Sequence, residues 1–142
     1  MLKAHRLTAR RTLAAVALAL IALLFAACST PPAVDLNNTR WTLIAINGHA
    51  IPAGVTATIQ FTDGKVGGSA GCNSYGGQYR LEGNRLVSPS PIASTLMACE
   101  DIRMTLEQTF LTALGSGVRV AKANGQLTLT GDNGTVLTFR PQ

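Results

Sequence analysis

Hydrophobic positions change their spacing twice along the chain. From Leu13 to Phe25 they are almost continuous, and from Arg40 onward they break into short runs separated by Gly-containing turns. Arg40 to Ile46 is rich in β-branched and aromatic residues and stops at Asn47-Gly48, which predicts a strand and a tight turn. Val55 to Phe61 alternates Val, Ala, Ile and Phe with Thr, Thr and Gln, the pattern of a strand with one wet face. Asp63-Gly64 then predicts a hairpin into Lys65 to Ser69. Two short strands, Gln78 to Leu81 and Arg85 to Ser88, are expected across Gly83-Asn84. Gly117 to Lys122, Gln126 to Thr130 and Thr135 to Arg140 repeat the design across Asn124-Gly125 and Asp132-Asn133-Gly134, with Leu127, Leu129, Val136, Leu137 and Phe139 facing one core. Between Asp101 and Leu114 the spacing changes to that of a helix: Ile102, Leu106, Phe110 and Ala113-Leu114 share a face. Gly115 is expected to end it with positive φ. The fold class that follows is α+β: a curved antiparallel sheet or partly open barrel with one amphipathic helix packed on it.

Charge changes the picture less than it first suggests. The 142 residues carry 12 Lys and Arg against 7 Asp and Glu, a net of +5. A basic protein suggests nucleic acid or an anionic membrane. Four of the basic residues, Lys3, Arg6, Arg10 and Arg11, precede the apolar run, where 20 of the first 27 residues are apolar. The remaining 115 residues hold eight basic and seven acidic side chains and all 14 Gly. Such a domain has no electrostatic footprint for nucleic acid and should be rich in turns.

The N-terminal pattern reads as an address. A positive region and an apolar stretch of secretory length lead to Leu24-Phe25-Ala26-Ala27-Cys28, which resembles a bacterial lipobox. In that motif the Cys receives a diacylglycerol and the peptide is cut before it; small residues before the cut let the peptidase approach the backbone. Phe25 stands where Leu is more usual. Ordinary cleavage near Ala27 and a retained anchor are the competing readings, the second disfavoured because Thr12 to Ala27 is shorter than about 20 residues. Positions 1–27 are thus expected to be a lipoprotein signal peptide and 28–38 a lipidated Cys with a flexible tether. The tandem Pro in Ser29 to Asn38 favours extended polyproline conformation, reaching roughly 30 Å. The folded domain then spans 39–142. The expected location is the bacterial cell envelope, in the outer membrane facing the periplasm if the host is Gram-negative.

Candidate chemistry is sparse. With Cys28 acylated, Cys72 and Cys99 remain as an even pair in an oxidising compartment, which points to a disulfide. Two buried thiols or a redox site are the alternatives, although redox pairs favour Cys-x-x-Cys spacing. His49 is the single His beyond the signal, so neither a Cys-His metal cluster nor a Ser-His-Asp triad finds its parts. Glu100, Asp101 and Glu107 are the clustered acids and read as helix-start charges better than as a glycosidase pair. Gly64, Gly67, Gly68 and Gly71 lack the Gly-Lys-Ser/Thr of a phosphate loop and read as bulges and close backbone approaches. Trp41 is expected in the core. No cofactor and no metal are expected.

Two segments together carry a resemblance. Gly68-Ser69-Ala70-Gly71-Cys72-Asn73-Ser74-Tyr75-Gly76-Gly77-Gln78-Tyr79 and Ile92-Ala93-Ser94-Thr95-Leu96-Met97-Ala98-Cys99, the latter followed by Glu107 and Phe110, resemble the META domain of HslJ-type heat-inducible bacterial lipoproteins. The resemblance runs from about Asn38 to Pro141. It implies a compact α+β domain in the cell envelope, a family linked to heat stress and antibiotic tolerance, and a fold similar to the lipoprotein pilots of secretins. It brings no catalytic residues. Physically, Gly71 and Gly76-Gly77 are expected to make tight turns around Cys72, and Asn73 to cap backbone groups. The motif is then either a stabilising knot or a binding surface made of Asn73, Tyr75, Thr95 and Met97. The function expected is a non-enzymatic envelope lipoprotein, membrane-bound through Cys28, that binds a protein or peptide partner. The alternative is a pilot-like binder of a small molecule or lipid in a cavity between helix and sheet.

Overall fold

The computed structural model describes residues 34–142. The expected signal peptide, Cys28 and the start of the expected tether lie outside the described residues. Among the described residues eleven strands and one helix follow in chain order: β1 (Thr39–Ile46), β2 (His49–Ala50), β3 (Thr58–Thr62), β4 (Lys65–Ser69), β5 (Ser74–Gln78), β6 (Arg80–Glu82), β7 (Arg85–Val87), β8 (Ala93–Ser94), α1 (Asp101–Gly115), β9 (Val118–Ala123), β10 (Gln126–Gly131) and β11 (Val136–Pro141). All pairings are antiparallel, in the order β6-β7-β9-β10-β11-β1-β3-β4-β5-β8, with β2 beside β1. The sheet curls into a half-barrel, as the alternating runs and Gly turns predict.

The turns form where a backbone with positive φ is required. Asn47-Gly48, Asp63-Gly64 and Asn124-Gly125 all have positive φ at both residues, the conformation that matches the twist of a two-residue hairpin. Register then follows from hydrophobicity: Leu127 faces Phe139 and Leu129 faces Leu137 across β10 and β11, and all four are fully buried. A one-residue slip would turn every one of them outward. Gly68 shows a different use of glycine, because a Cβ there would stand 2.3 Å from the Thr58 carbonyl oxygen. The backbone of β4 can cross β3 so closely only without a side chain.

Helix α1 closes one side of the core. Its buried residues, Leu106, Glu107, Phe110, Ala113 and Leu114, lie on one helical face. Phe110 packs its ring 5.3 Å from Tyr75 of β5 and 6.2 Å from Phe139 of β11. Burying such a side chain stabilises by about 2–3 kcal/mol. Ile102, expected on this face, is instead half-exposed at 52%, on the wall of a cleft it shares with Ile46, Ile51 and Leu106. Gly115 stays helical; the chain turns out at Gly117, whose φ is +85°.

Three further features depart from the sequence reading. Gly76 and Gly77, expected in turns, belong to β5 and pair with Gly67 and Val66. A Cβ on Gly77 would meet Ile92 at 3.3 Å, so glycine there admits the returning chain and does not bend the strand. The strand expected from Val55 begins as regular pairing at Thr58; Ala57 makes an isolated bridge to Ala70. The end of the stretch read as tether is packed: Leu36 is buried, and the Asn37 side-chain oxygen accepts from the Asp63 N–H at 2.8 Å. Trp41 is buried as expected, its indole N–H donating to Thr39 Oγ1 at 2.9 Å.

Candidate functional site

The two motif segments and the helix meet at Asn73. This side chain is 1% exposed and sits in the loop between β4 and β5. Its Nδ2 donates to Glu107 Oε1 at 2.9 Å and to the Met97 carbonyl at 3.1 Å. Its Oδ1 accepts from Thr95 Oγ1 at 2.8 Å and from the Met97 N–H at 2.7 Å. The Asn73 N–H donates to Glu107 Oε2 at 2.6 Å. One amide therefore ties the β4–β5 loop, the β8–α1 segment and the helix together. An Asn side chain suits the task because it offers two donors and a carbonyl in one plane.

The surroundings hold this clamp in place. Cys72, beside Asn73, is joined to Cys99 by a disulfide with Cα atoms 6.0 Å apart. Arg103 on α1 donates to the Gly71 carbonyl at 3.1 Å and the Gly54 carbonyl at 2.7 Å. Gly71 has φ +111°, and a Cβ there would press on Leu106 at 3.0 Å, so the loop lies flat against the helix only as glycine. Tyr75 points inward, its hydroxyl donating to the Thr58 carbonyl at 3.0 Å. Burial pushes its phenol pKa up, well above the usual range. No buried side-chain nitrogen or oxygen among the described residues lacks a partner.

The four residues considered as a surface therefore separate. Asn73 and Tyr75 are buried, whereas Thr95 and Met97 are exposed. Glu107 is the residue whose role the sequence reading missed: it stands mid-helix, and its carboxylate is the far half of the clamp. The signal was its place three residues before Phe110 and one after Leu106, on the face that must be buried. Glu100 fills the N-cap position without a side-chain cap bond, and His49 is exposed in β2.

This arrangement binds backbone and does not present a reactive group. Both Glu107 oxygens accept from Asn73, and the side chain is buried. Among the described residues no three His, Cys, Asp or Glu side chains stand close enough to share a metal ion. Glu107→Gln should lower stability by about 2 kcal/mol, because one amide NH₂ must then face the N–H or NH₂ of Asn73. A chemical denaturation curve measures it; an unchanged midpoint would contradict the clamp.

Outside the clamp the surface carries shallow concavities. A cleft of about 220 Å³ lies between α1 and the β1–β2 hairpin, lined by Ile46, Ile51, Ile102 and Leu106 among others. One of about 330 Å³ runs over β5 and β8, lined by Ser74, Tyr75, Gly76, Ala93, Ser94 and Thr95. A depression of about 680 Å³ is walled by residues of α1, including Asp101, Thr105, Gln108 and Thr112. Its described walls come from one helix, so it is open surface and not an enclosed site.

Comparison with known proteins places these features. Residues 34–142 match the family model of the META domain. An NMR structure of a protein from Burkholderia xenovorans is 26% identical, covers 81% of this chain and 93% of its own, and has a TM-score of 0.64. A second NMR structure is 27% identical, covering 74% of this chain and 90% of its own at a TM-score of 0.64. A crystal structure of a DUF4847 family protein from Bacteroides vulgatus, 16% identical, shares the fold at a TM-score of 0.52 over 74% of this chain and 93% of its own. No curated protein matched the chain. The match covers the whole described domain, including both segments that converge on Asn73, and the chain belongs to the META domain family.

Proposed function

We propose that this is a non-enzymatic cell-envelope lipoprotein, anchored through Cys28, whose META domain binds a protein or peptide partner in support of the envelope under stress. The observation that carries the reading is the placement of exposed apolar side chains. Leu96 is 95% exposed, Met97 56% and Ile102 52%, and with Met104 they all fall between positions 96 and 104. Leu96 and Met97 are adjacent on the segment before the helix, and neighbouring exposed apolar side chains mark an interaction site more than scattered ones do. The clamp gives that patch a fixed base, since Met97 is held through both its N–H and its carbonyl by Asn73.

The competing reading, a small-molecule or lipid binder, has less support. Phe61, Phe110 and Phe139 fill the core, and the apolar cleft between helix and hairpin measures about 220 Å³, below the volume that usual ligand sites enclose.

Two measurements test the proposal. A photo-crosslinking residue at position 96, in cells, should yield a discrete adduct that the same probe at exposed Gln60 of β3 does not. Adducts of equal yield at both positions would argue against a partner at this patch. Cys28→Ser should move the protein from the membrane fraction to the soluble fraction and abolish labelling by a fatty acid; persistent membrane attachment would refute acylation as the anchor.

A further inference from the structure

The domain is nearly neutral, but its charges are segregated. Strand register assigns most of the basic side chains to one face. Arg40 of β1 lies opposite Gln60 of β3, and Lys65 of β4 lies opposite Thr62 of β3. Arg140 of β11 lies opposite Thr42 of β1. Arg119 of β9 lies opposite Thr130 of β10, which in turn lies opposite Val136 of β11. Residues two apart on a strand share a face, and paired residues share it across strands. These four cations therefore stand on the side of the sheet turned away from the core, alternating with the buried Trp41, Val66, Phe139 and Val118. Arg80, Glu82 and Arg85 share that face through the pairings of β6, β7 and β9.

Carboxylates on this face are few and already engaged. Glu82 pairs with Arg80 at 2.7 Å, and Asp132, in the turn after β10, pairs with Arg85. Arg119 stands at the far end of the face, within electrostatic reach of that same Asp132. Among the described residues no carboxylate lies within ion-pair distance of Arg40, Lys65 or Arg140, and all three are exposed. The other five acids lie elsewhere. Glu100, Asp101 and Glu107 belong to α1 and its N-cap. Asp35 and Asp63 are at the rim, where burial and then these two carboxylates raise the Tyr79 pKa. The outer face thus holds six cations against two carboxylates, and it stays positive even if both rim acids are counted with it.

The chain enters the domain at the end of the sheet where these three cations lie. Leu36 is buried, its carbonyl accepting from the Thr39 N–H at 3.2 Å, and Asn37 accepts from the Asp63 N–H, so the entry is fixed beside Arg40 and the β3–β4 hairpin. Cys28 stands eight residues before Leu36, a reach of at most roughly 28 Å. A domain anchored through Cys28 therefore cannot leave the neighbourhood of the lipid headgroups, and an anionic surface attracts basic side chains over about 8 Å at physiological salt. We infer that the sheet face carrying Arg40, Lys65 and Arg140 docks on the anionic phospholipid bilayer that holds Cys28, with the cations on headgroup phosphates. The inference rests on the anchoring reading above and adds the orientation in which the domain is held. α1 packs on the opposite side of the sheet, so docking turns Glu100 and Asp101 away from a surface that would repel them. An acidic protein would meet the same cations, but nothing holds it at this end of the domain, whereas the short link to Cys28 does hold the bilayer there.

The test uses the full chain purified from membranes and reconstituted in vesicles of equal parts phosphatidylglycerol and phosphatidylcholine, some headgroups carrying a nitroxide quencher. A fluorophore is placed on Gln60→Cys, opposite Arg40 on the outer face, or on Gln108→Cys, exposed on α1. Quenching at position 60 should exceed that at position 108 at least about threefold. The difference should vanish in phosphatidylcholine alone, at high salt, and in Arg40→Glu combined with Arg140→Glu. Arg40→Lys with Arg140→Lys keeps the charge and should keep the difference. Melting temperatures of the variants within about 2 °C of the parent exclude unfolding as the cause. Equal quenching at the two positions, or a difference that lipid charge, salt and charge reversal leave unchanged, overturns the inference. So does a discrete protein adduct in cells from a photo-crosslinking residue at position 60 that the charge reversal abolishes, which makes the occupant an acidic protein. The two readings fail separately. If Cys28→Ser releases the protein and positions 60 and 108 are quenched equally, the anchor stands and the docking is wrong; if attachment persists in Cys28→Ser and quenching at position 60 still follows charge, the docking stands and the anchor is wrong.

Discussion

Asn73→Ala lowers the melting temperature of the domain by about 15 °C, corresponding to a loss of about 4 kcal/mol at roughly 4 °C per kcal/mol for a domain of this size. The magnitude follows from what the side chain does. It makes four hydrogen bonds, each contributing about 1 kcal/mol net when buried. Their removal also strips the buried Glu107 carboxylate of one of its two donors, and an underpaired buried charge costs further free energy. Asn73→Asp should be at least as damaging, since a carboxylate oxygen would then face Glu107 Oε1 where Nδ2 now donates. Thermal unfolding followed by circular dichroism measures both. A drop of under about 4 °C for Asn73→Ala would mean that water replaces the amide at little cost, and the clamp would no longer explain how the 95–97 segment is held.

Loss of the Cys72–Cys99 bridge is the second large effect. The cystines are 27 residues apart, and closing a loop of that length restricts the unfolded chain by about 3.5 kcal/mol in the chain-entropy account. Cys72→Ala combined with Cys99→Ala should shift the denaturation midpoint by that amount; a shift under about 1 kcal/mol would show that the native state carries offsetting strain or that the unfolded chain remains structured. The two perturbations should not add. Asn73 and the disulfide tie neighbouring residues of the β4–β5 loop to the same segment before the helix, so once one connection is lost the other restrains less. A triple substitution should therefore cost visibly less than the sum of its parts.

Much of this fold is legible in the sequence because its turns demand particular residues. Asn47-Gly48, Asp63-Gly64 and Asn124-Gly125 each require positive φ in succession, which few other pairs tolerate. The helix is legible from the spacing of Leu106, Phe110, Ala113 and Leu114. β5 is not, because Ser74-Tyr75-Gly76-Gly77-Gln78 has low strand propensity, and what makes it a strand is partners on both sides, β4 and β8, that lie elsewhere in the chain. The site was half legible. The Cys72 and Cys99 spacing and the Asn73 motif mark the right segments, but residue type cannot say that Asn73 and Tyr75 are buried while Thr95 and Met97 are exposed. Glu107 was hidden for a related reason: a carboxylate on an apolar face makes sense only once the donors of Asn73 arrive from thirty-four positions earlier.

The pairing of β1 with β11 bears on when the domain becomes itself. Trp41 of the first strand lies opposite Pro141, and Leu43 opposite Phe139, in the middle of the sheet. The central seam thus joins the two ends of the domain, and neither half of the sheet can be completed from its own neighbours. Contacts of such long sequence separation form late and slowly. A chain emerging N-terminus first must therefore leave the sheet open until β11 has been released. Maturation is held back by the geometry of the seam, and the domain closes only when β11 arrives to meet β1.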